Sequence, residues 1–204
     1  MTMSMWLAAE PLVLASKSAV RRAMIEAVGI PLEVAPADID ERAVEARAAA
    51  GSASDAAALL AREKARVGAG RVQGRFVVGA DQTLALGKTR FTKPVDRATA
   101  REQLRALAGR THELHSAVAL ARDGRVIFSH VDTARLTMRS LSDRFLDRYL
   151  DVAGETVTNS VGGYQLEGLG SHLFERVEGD YFTILGLPLF ALLGCLRREG
   201  CLAG

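Results

Sequence analysis

The stretch Leu12-Val13-Leu14-Ala15-Ser16-Lys17-Ser18-Ala19-Val20-Arg21-Arg22, continuing to Gly29, decides the fold class. Leu12 to Ala15 is an apolar run too short for a helix. After the polar Ser16-Lys17-Ser18, residues Ala23, Ala27 and Val28 share one helical face, which Gly29 closes. The reading is strand, turn, helix. The turn gathers Ser16, Lys17, Ser18, Arg21 and Arg22 where a helix N-terminus offers backbone N–H groups and partial positive charge. Hydroxyls and guanidinium forks match phosphate oxygens, so this turn is a candidate phosphate cradle. The alternative is that Arg21 and Arg22 are solvated on an exposed helix.

Working outward, Leu32 to Ala35 reads as a second strand that ends at Pro36, before the acidic Asp38-Ile39-Asp40-Glu41. Glu41 to Ala50 and Ser54 to Val67 read as alanine-rich helices, the second capped by Ser54 and ended by Gly68 and Gly70. Phe76 to Ala80 is predicted to be a buried strand that stops at Asp81, placing an acid at a strand's carboxyl end, where α/β ligands sit. Asp81 then either caps a turn or holds a metal or a water. Asp96 caps a helix to Leu107, with Gly109 after it. Thr111 to Arg122 alternates as a strand, and Asp123-Gly124 signals a hairpin into Val126 to Met138. Ser142 opens a helix to about Ala153. Gly162 to Gly179, with Glu167, His172 and Glu175, reads as a loop and a short strand, and Pro188 starts a closing helix. The fold class is therefore α/β, a mixed sheet with helices on it.

Composition narrows the function. A chain of 204 residues buries about 70% of its unfolded surface and needs no disulfide to make a core. Its two cysteines, Cys195 and Cys201, lack Cys-x-x-Cys spacing, which favours a reducing cytoplasmic setting. A net charge of +2 with 5% aromatic residues argues against nucleic-acid binding. The longest uncharged run, Tyr181 to Leu196, falls short of the roughly 20 residues a bilayer needs and is broken by Gly186 and Pro188. Met1 to Pro11 lacks the positive region of a secretory signal.

Several near-motifs fail on spacing. Gly87-Lys88-Thr89 mimics the end of a P-loop, but Gln82 stands at the leading glycine; Gly68-Ala69-Gly70 has Gln73 where a dinucleotide fingerprint needs glycine. His112-Glu113-Leu114-His115 is one residue short of a zinc helix, so its histidines are read as surface and core residues. What remains is Asp81, the hard oxygens of Asp40 and Glu41 that suit Mg²⁺ or are merely solvated, and Lys64 and Lys93, two of only four lysines.

On Leu14-Ala15-Ser16-Lys17-Ser18-Ala19-Val20-Arg21-Arg22, the chain resembles the Maf family of nucleoside triphosphate pyrophosphatases. Asp40-Glu41, Ala61-Arg62-Glu63-Lys64-Ala65, Gly79-Ala80-Asp81-Gln82, Lys93-Pro94, Leu107 to His112, Gly163 to Gly168, Gly179-Asp180 and Gly186-Leu187-Pro188 follow in the family's order. The resemblance implies one Maf-like domain over residues 1–204: an elongated inosine triphosphate pyrophosphatase-like sheet, two lobes around a cleft, usually a cytoplasmic homodimer. It implies cleavage of a nucleoside triphosphate to monophosphate and pyrophosphate with a divalent metal, probed first as Mg²⁺. By the same resemblance Asp81 is the proton acceptor, acting with Lys64 and Lys93. Ser16, Ser18 and Arg21 contact substrate, Glu41 and Asp81 serve the metal, and Val20, Gln82 and Glu167 are the specificity trio, of which Gln82 and Glu167 look like the branch that includes 7-methyl-GTP pyrophosphatases.

Three positions depart from the pattern. Ala19 replaces the motif proline, Thr92 the glycine before Lys93-Pro94, and Val20 the tryptophan of the 7-methyl-GTP enzymes. Valine cannot offer the cation–π attraction that a methylated, cationic base would find on an aromatic ring, so the preferred base stays open. The rival expectation is a non-catalytic nucleotide-binding regulator of septum formation.

Overall fold

The computed structural model describes residues 4–47 and 51–204. The expected helix from Glu41 to Ala50 therefore ends, for description, at Arg47. Elements follow in the order β1 (Leu12–Leu14), α1 (Ala19–Ala27), β2 (Leu32–Val34), α2 (Glu41–Arg47), α3 (Ala53–Ala69), β3 (Phe76–Leu86), β4 (Thr89–Phe91) and α4 (Arg97–Leu107). Then come β5 (Thr111–Arg122), β6 (Arg125–Met138), α5 (Asp143–Ala153), three short 3₁₀ turns between Gly154 and Leu173, β7 (Phe174–Glu178), α6 (Tyr181–Ile184) and α7 (Leu189–Arg198). Among the described residues the strands form a 7-stranded mixed sheet of order β2-β1-β3-β5-β6-β7, with β4 on β3. This is the α/β architecture that the strand–turn–helix opening predicts. No described helix is long and apolar enough to cross a membrane.

The chain divides into two compact units. The first joins the chain up to Gln82 with Ser116–Asp132 and Tyr181–Gly204; the second holds Thr83–His115 and Thr133–Asp180. In the first unit β1 lies between β2 and β3, parallel to both, with Val13 opposite Glu33 on one side and Val77 on the other. Alternation then sorts the side chains. Leu12 and Leu14 join Val78, Ala80, Ile25, Leu192 and Leu196 in one cluster; Val13, Ala15 and Val77 join Ala57, Ala61, Ala65 and Ala69 of α3 in the other. The alanine richness of α3 thus has a packing reason: a smooth helix face lets two backbones approach closely.

That approach is extreme at Gly79. A Cβ there would lie 2.2 Å from Ala61 O and 2.4 Å from Ala65 N, so α3 rests on β3 backbone to backbone. Ser52, not Ser54, caps α3. Its hydroxyl accepts from Asp55 N while the Asp55 carboxylate accepts from Ser52 N, and this reciprocal box outcompetes the later serine. The helix also runs over Gly68 to Ala69 without stopping.

A second correction concerns β3. It does not end at Asp81 but continues to Leu86, because Thr83, Leu84 and Ala85 are buried and Leu84–Leu86 pair with Thr89–Phe91. Gly87-Lys88, the P-loop mimic, is the two-residue hairpin turn between them. Asp81 therefore sits within a strand. The Asp123-Gly124 hairpin forms as predicted, both residues having positive φ, at 51° and 74°.

In the second unit Asp96 caps α4 by accepting from Thr99 N at 2.7 Å, and Arg101 of α4 binds Asp143 and Asp147 of α5. Neither His112 nor His115 is a surface residue: β5 is buried along both faces from Leu114 to Ala121, and the two histidines are 0% and 9% exposed. His112 Nε2 lies 2.6 Å from Tyr164 Oη, and burial lowers its pKa from 6.5 to about 4. Because the folded value is the lower one, the neutral ring stabilises the fold fully above pH 6.5, and that contribution disappears as pH falls toward 4. The contribution is on the order of 3 kcal/mol. Urea midpoints at pH 7 and pH 4.5 should therefore differ more for the native chain than for His112→Phe, whose cost is independent of pH; equal differences would refute the assignment.

Candidate active site

The site in the first unit is assembled from β1, α1, α2, α3 and β3. β1 delivers Ser16, 8% exposed, to the turn before α1. Ser18 is the N-cap of α1, its hydroxyl accepting from Arg21 N at 3.3 Å, so that predicted substrate contact does local structural work. Val20 packs against the apolar cluster around Leu14. Arg21, one turn into α1, turns its guanidinium back across the site. Nε donates to Gly186 O at 2.8 Å, and Nη1 donates to Ala80 O at 2.9 Å and Ser16 Oγ at 3.2 Å. Lys17 and Arg22, the other cations of the turn, point to solvent and pair with Asp38 and Glu26.

At the centre is a charged triplet. Lys64 Nζ of α3 lies 2.7 Å from Asp81 Oδ1 of β3 and 2.7 Å from Glu41 Oε1 at the start of α2. Lys64 and Asp81 are 8% exposed each, while the Glu41 side chain is about half exposed. Sequence predicts these three residue types; Gly79 explains why they meet, since the close approach of α3 sets Lys64 beside the next acid along β3. Burial pushes the Asp81 carboxyl above its usual range, against the pull of Lys64 and Arg21. Burial likewise lowers Arg21, with Asp81 and Glu41 opposing. An ammonium carries three N–H donors, and two serve these carboxylates, so one remains for an incoming oxygen.

Gln82 projects to the other face of β3. Its Nε2 faces Ser116 Oγ at 2.9 Å, Ile184 O at 2.9 Å and Thr183 O at 3.2 Å, and Ser116 Oγ donates to Thr183 O at 2.6 Å. The flanking carbonyls fix the carboxamide with its nitrogen toward them. Ser116 and the turn at 183–186 are not among the predicted site residues. The available signal was a single hydroxyl, fully buried here, directly before the run Ala117-Val118-Ala119-Leu120-Ala121. Lys93 and Glu167 belong to the second unit. Lys93 is exposed between β4 and α4 beside buried Pro94, and Glu167 is exposed in the segment between two 3₁₀ turns.

Two carboxylates converging within hydrogen-bond distance of one small cation are a donor set suited to a hard divalent ion. Among the described residues no group of three or more His, Cys, Asp or Glu side chains gathers to hold a metal. Glu41 and Asp81 are the two carboxylates that meet at Lys64.

The mixed α/β sheet with its flanking helices is of the HAM1-like fold. The chain superposes on the structure of a HAM1 protein from Coxiella burnetii with a TM-score of 0.52 over 92% of this chain and 96% of that one, at 17% identity. The family model for Maf-like protein matches residues 11–199, and the chain belongs to that family. Among its curated relatives are a "Nucleoside triphosphate pyrophosphatase" of Rhodopseudomonas palustris strain BisB18, 53% identical over 98% of this chain and 100% of the relative, and a "7-methyl-GTP pyrophosphatase" of Brucella abortus, 50% identical over 95% and 98%.

Proposed function

We propose that the chain hydrolyses nucleoside triphosphates, base-modified ones included, to the monophosphate and pyrophosphate. The observation that carries this is the buried Asp81–Lys64 contact at 2.7 Å, with Glu41 at the same distance on its other side. A buried acid whose pKa is raised holds its proton more readily than an exposed one, which suits it to take a proton from an attacking water. The third N–H of Lys64 and the hydroxyl of Ser16 then meet phosphate oxygens. Binding alone needs no such buried base, which favours an enzyme over a non-catalytic regulator.

Charge arithmetic supports a metal. Glu41 and Asp81 offset Lys64 and Arg21, leaving those four side chains neutral, whereas the triphosphate is a polyanion. Glu41 and Asp81 would hold a divalent cation, Mg²⁺ in the first instance, which when bound neutralises phosphate charge in the loose transition state of phosphoryl transfer. Gln82 is proposed as a base contact. A cytoplasmic setting fits the free, buried thiols of Cys195 and Cys201, and a homodimer is the proposed assembly.

Pyrophosphate release from a panel of common and N-methylated triphosphates, with and without Mg²⁺, tests the reading. The expected result is metal-dependent release of one pyrophosphate per monophosphate. With Val20 in place of an aromatic ring, the preference for a cationic methylated base over its parent should stay below about tenfold, since a cation–π contact at a desolvated site contributes about 2 kcal/mol. Stepwise release of orthophosphate, or no turnover at all, would exclude the proposal.

A further inference from the structure

One guanidinium ties together three segments that lie far apart in sequence. Arg21 Nε–H serves Gly186 O, and both hydrogens of Nη1 are taken, by Ala80 O and by Ser16 Oγ. Ser16 Oγ accepts a second hydrogen bond, from Ser18 N at 3.3 Å. A serine hydroxyl has two acceptor lone pairs and one proton. With both lone pairs filled by N–H groups of the protein, the hydroxyl of Ser16 has only its proton to offer.

Ser16 is 8% exposed and lies two residues past the end of β1, directly after Ala15, whose N–H donates to Val78 O at 2.8 Å, and its hydroxyl is fixed by these two donors. Gly186 lies directly against the same guanidinium: a Cβ added there would stand 3.4 Å from Arg21 Nη2 and 3.6 Å from Nε. Lysine cannot reproduce this. Its ammonium is a compact point, whereas the planar fork splits its N–H groups between Gly186 on one side and Ala80 with Ser16 on the other.

We propose that Arg21 is a positioning residue that acts on the substrate through Ser16, making that hydroxyl an obligate hydrogen-bond donor to a phosphate oxygen of the nucleotide while holding Ala80, the residue before Asp81, and the turn at Gly186 in place. The proposal deepens the pyrophosphatase reading and rests on it. It differs from a direct phosphate contact by Arg21 in one measurable way. Two independent contacts multiply when both are removed, whereas a residue and its positioner do not.

The test is a double-mutant cycle on binding. Affinity for an α,β-methylene nucleoside triphosphate, whose scissile linkage cannot be hydrolysed, is measured calorimetrically with Mg²⁺ for the native chain, Ser16→Ala, Arg21→Lys and the double variant. Ser16→Ala should weaken binding about tenfold in the native background, as expected for a lost charge-assisted hydrogen bond, and less than about twofold in the Arg21→Lys background. Ser16→Thr, which keeps the hydroxyl, should restore most of the loss. Equal factors in both backgrounds overturn the proposal. If Arg21→Lys fails to fold, Arg21→Gln carries the same cycle, and an unchanged affinity of Ser16→Ala, which leaves Arg21 in place, overturns it without either. A native chain that binds the analogue but hydrolyses no triphosphate would end the pyrophosphatase reading while the cycle remained readable.

Discussion

Asp81→Asn should lower kcat by about a thousandfold, leave the KM for nucleoside triphosphate within about threefold, and leave the protein as stable as before or slightly more so. The catalytic loss follows from removing the one group of the site that is buried, basic and within reach of an ammonium at 2.7 Å. The stability claim follows from sign. The folded pKa of Asp81 is raised above its usual 3.8 because burial penalises the charged carboxylate more than Lys64 and Arg21 reward it. A carboxyl with a raised folded pKa contributes stability at low pH and loses it as pH rises through the folded value, so at neutral pH the ionised form costs the fold something. Asparagine keeps the shape and sheds that cost. The native kcat/KM should rise with pH along a limb whose midpoint lies above 3.8, and that limb should be absent from the residual activity of the variant. Near-normal turnover in Asp81→Asn, or a drop in Tm of more than about 8 °C, would remove Asp81 from its assigned role.

This separation of activity from stability is what distinguishes a functional buried charge from a structural one. In the second unit the charged contacts behave differently: Arg101, Asp143 and Asp147 make a ladder between α4 and α5 in which both acids are about half exposed. Such surface pairs are screened by water, contribute little to stability and shape no chemistry.

The sequence made some of this legible and concealed the rest for identifiable reasons. Ser16, Arg21 and Asp81 were visible because each is a polar or charged residue beside an apolar run, where backbone geometry leaves room for ligands, and Lys64 because it is one of only four lysines, on a helix with Ala61 and Ala65. The length of β3 was concealed because Asp81 looks like a terminator, whereas its charge is carried inside the strand by Lys64 from another element. The cap of α3 was misplaced by two residues because serine is good at either position and only the partner acid, Asp55, decides. Ser116 was invisible for a simpler reason: a hydroxyl in an apolar strand announces nothing until Gln82 and the Thr183 carbonyl come to it from residues 34 and 67 positions away. Arg21 was read as a ligand for phosphate. That its donors are mostly spent on Gly186, Ala80 and Ser16 depends on a turn 165 residues downstream.

Gly79→Ala should be severely damaging for a single added methyl group, and comparison with Gly68→Ala shows why. At Gly68 an added Cβ meets Val77 Cγ1 at 2.9 Å and Ala15 Cβ at 3.2 Å. Both are side-chain atoms, the valine can shift by a few tenths of an ångström, and alanine is favoured over glycine in a helix by about 1 kcal/mol. The two terms nearly cancel, so Gly68→Ala should move the urea midpoint little. At Gly79 the added atom meets Ala61 O at 2.2 Å and Ala65 N at 2.4 Å, and neither backbone group can rotate away. Helix α3 must lift off β3 by about 1 Å, opening the alanine-lined layer at a cost on the order of 3 kcal/mol, at the upper end of overpacking penalties. The same movement draws Lys64, which lies between Ala61 and Ala65, away from Asp81, and a misplacement of that size costs about a hundredfold in rate even where the chain still folds. Gly79→Ala should therefore lose stability and turnover together, unlike Asp81→Asn, which loses turnover alone. Urea denaturation and kcat measured on the three variants decide the matter: a Gly79→Ala protein that kept native turnover would show that the contact between helix and strand does not set the distance on which the chemistry depends.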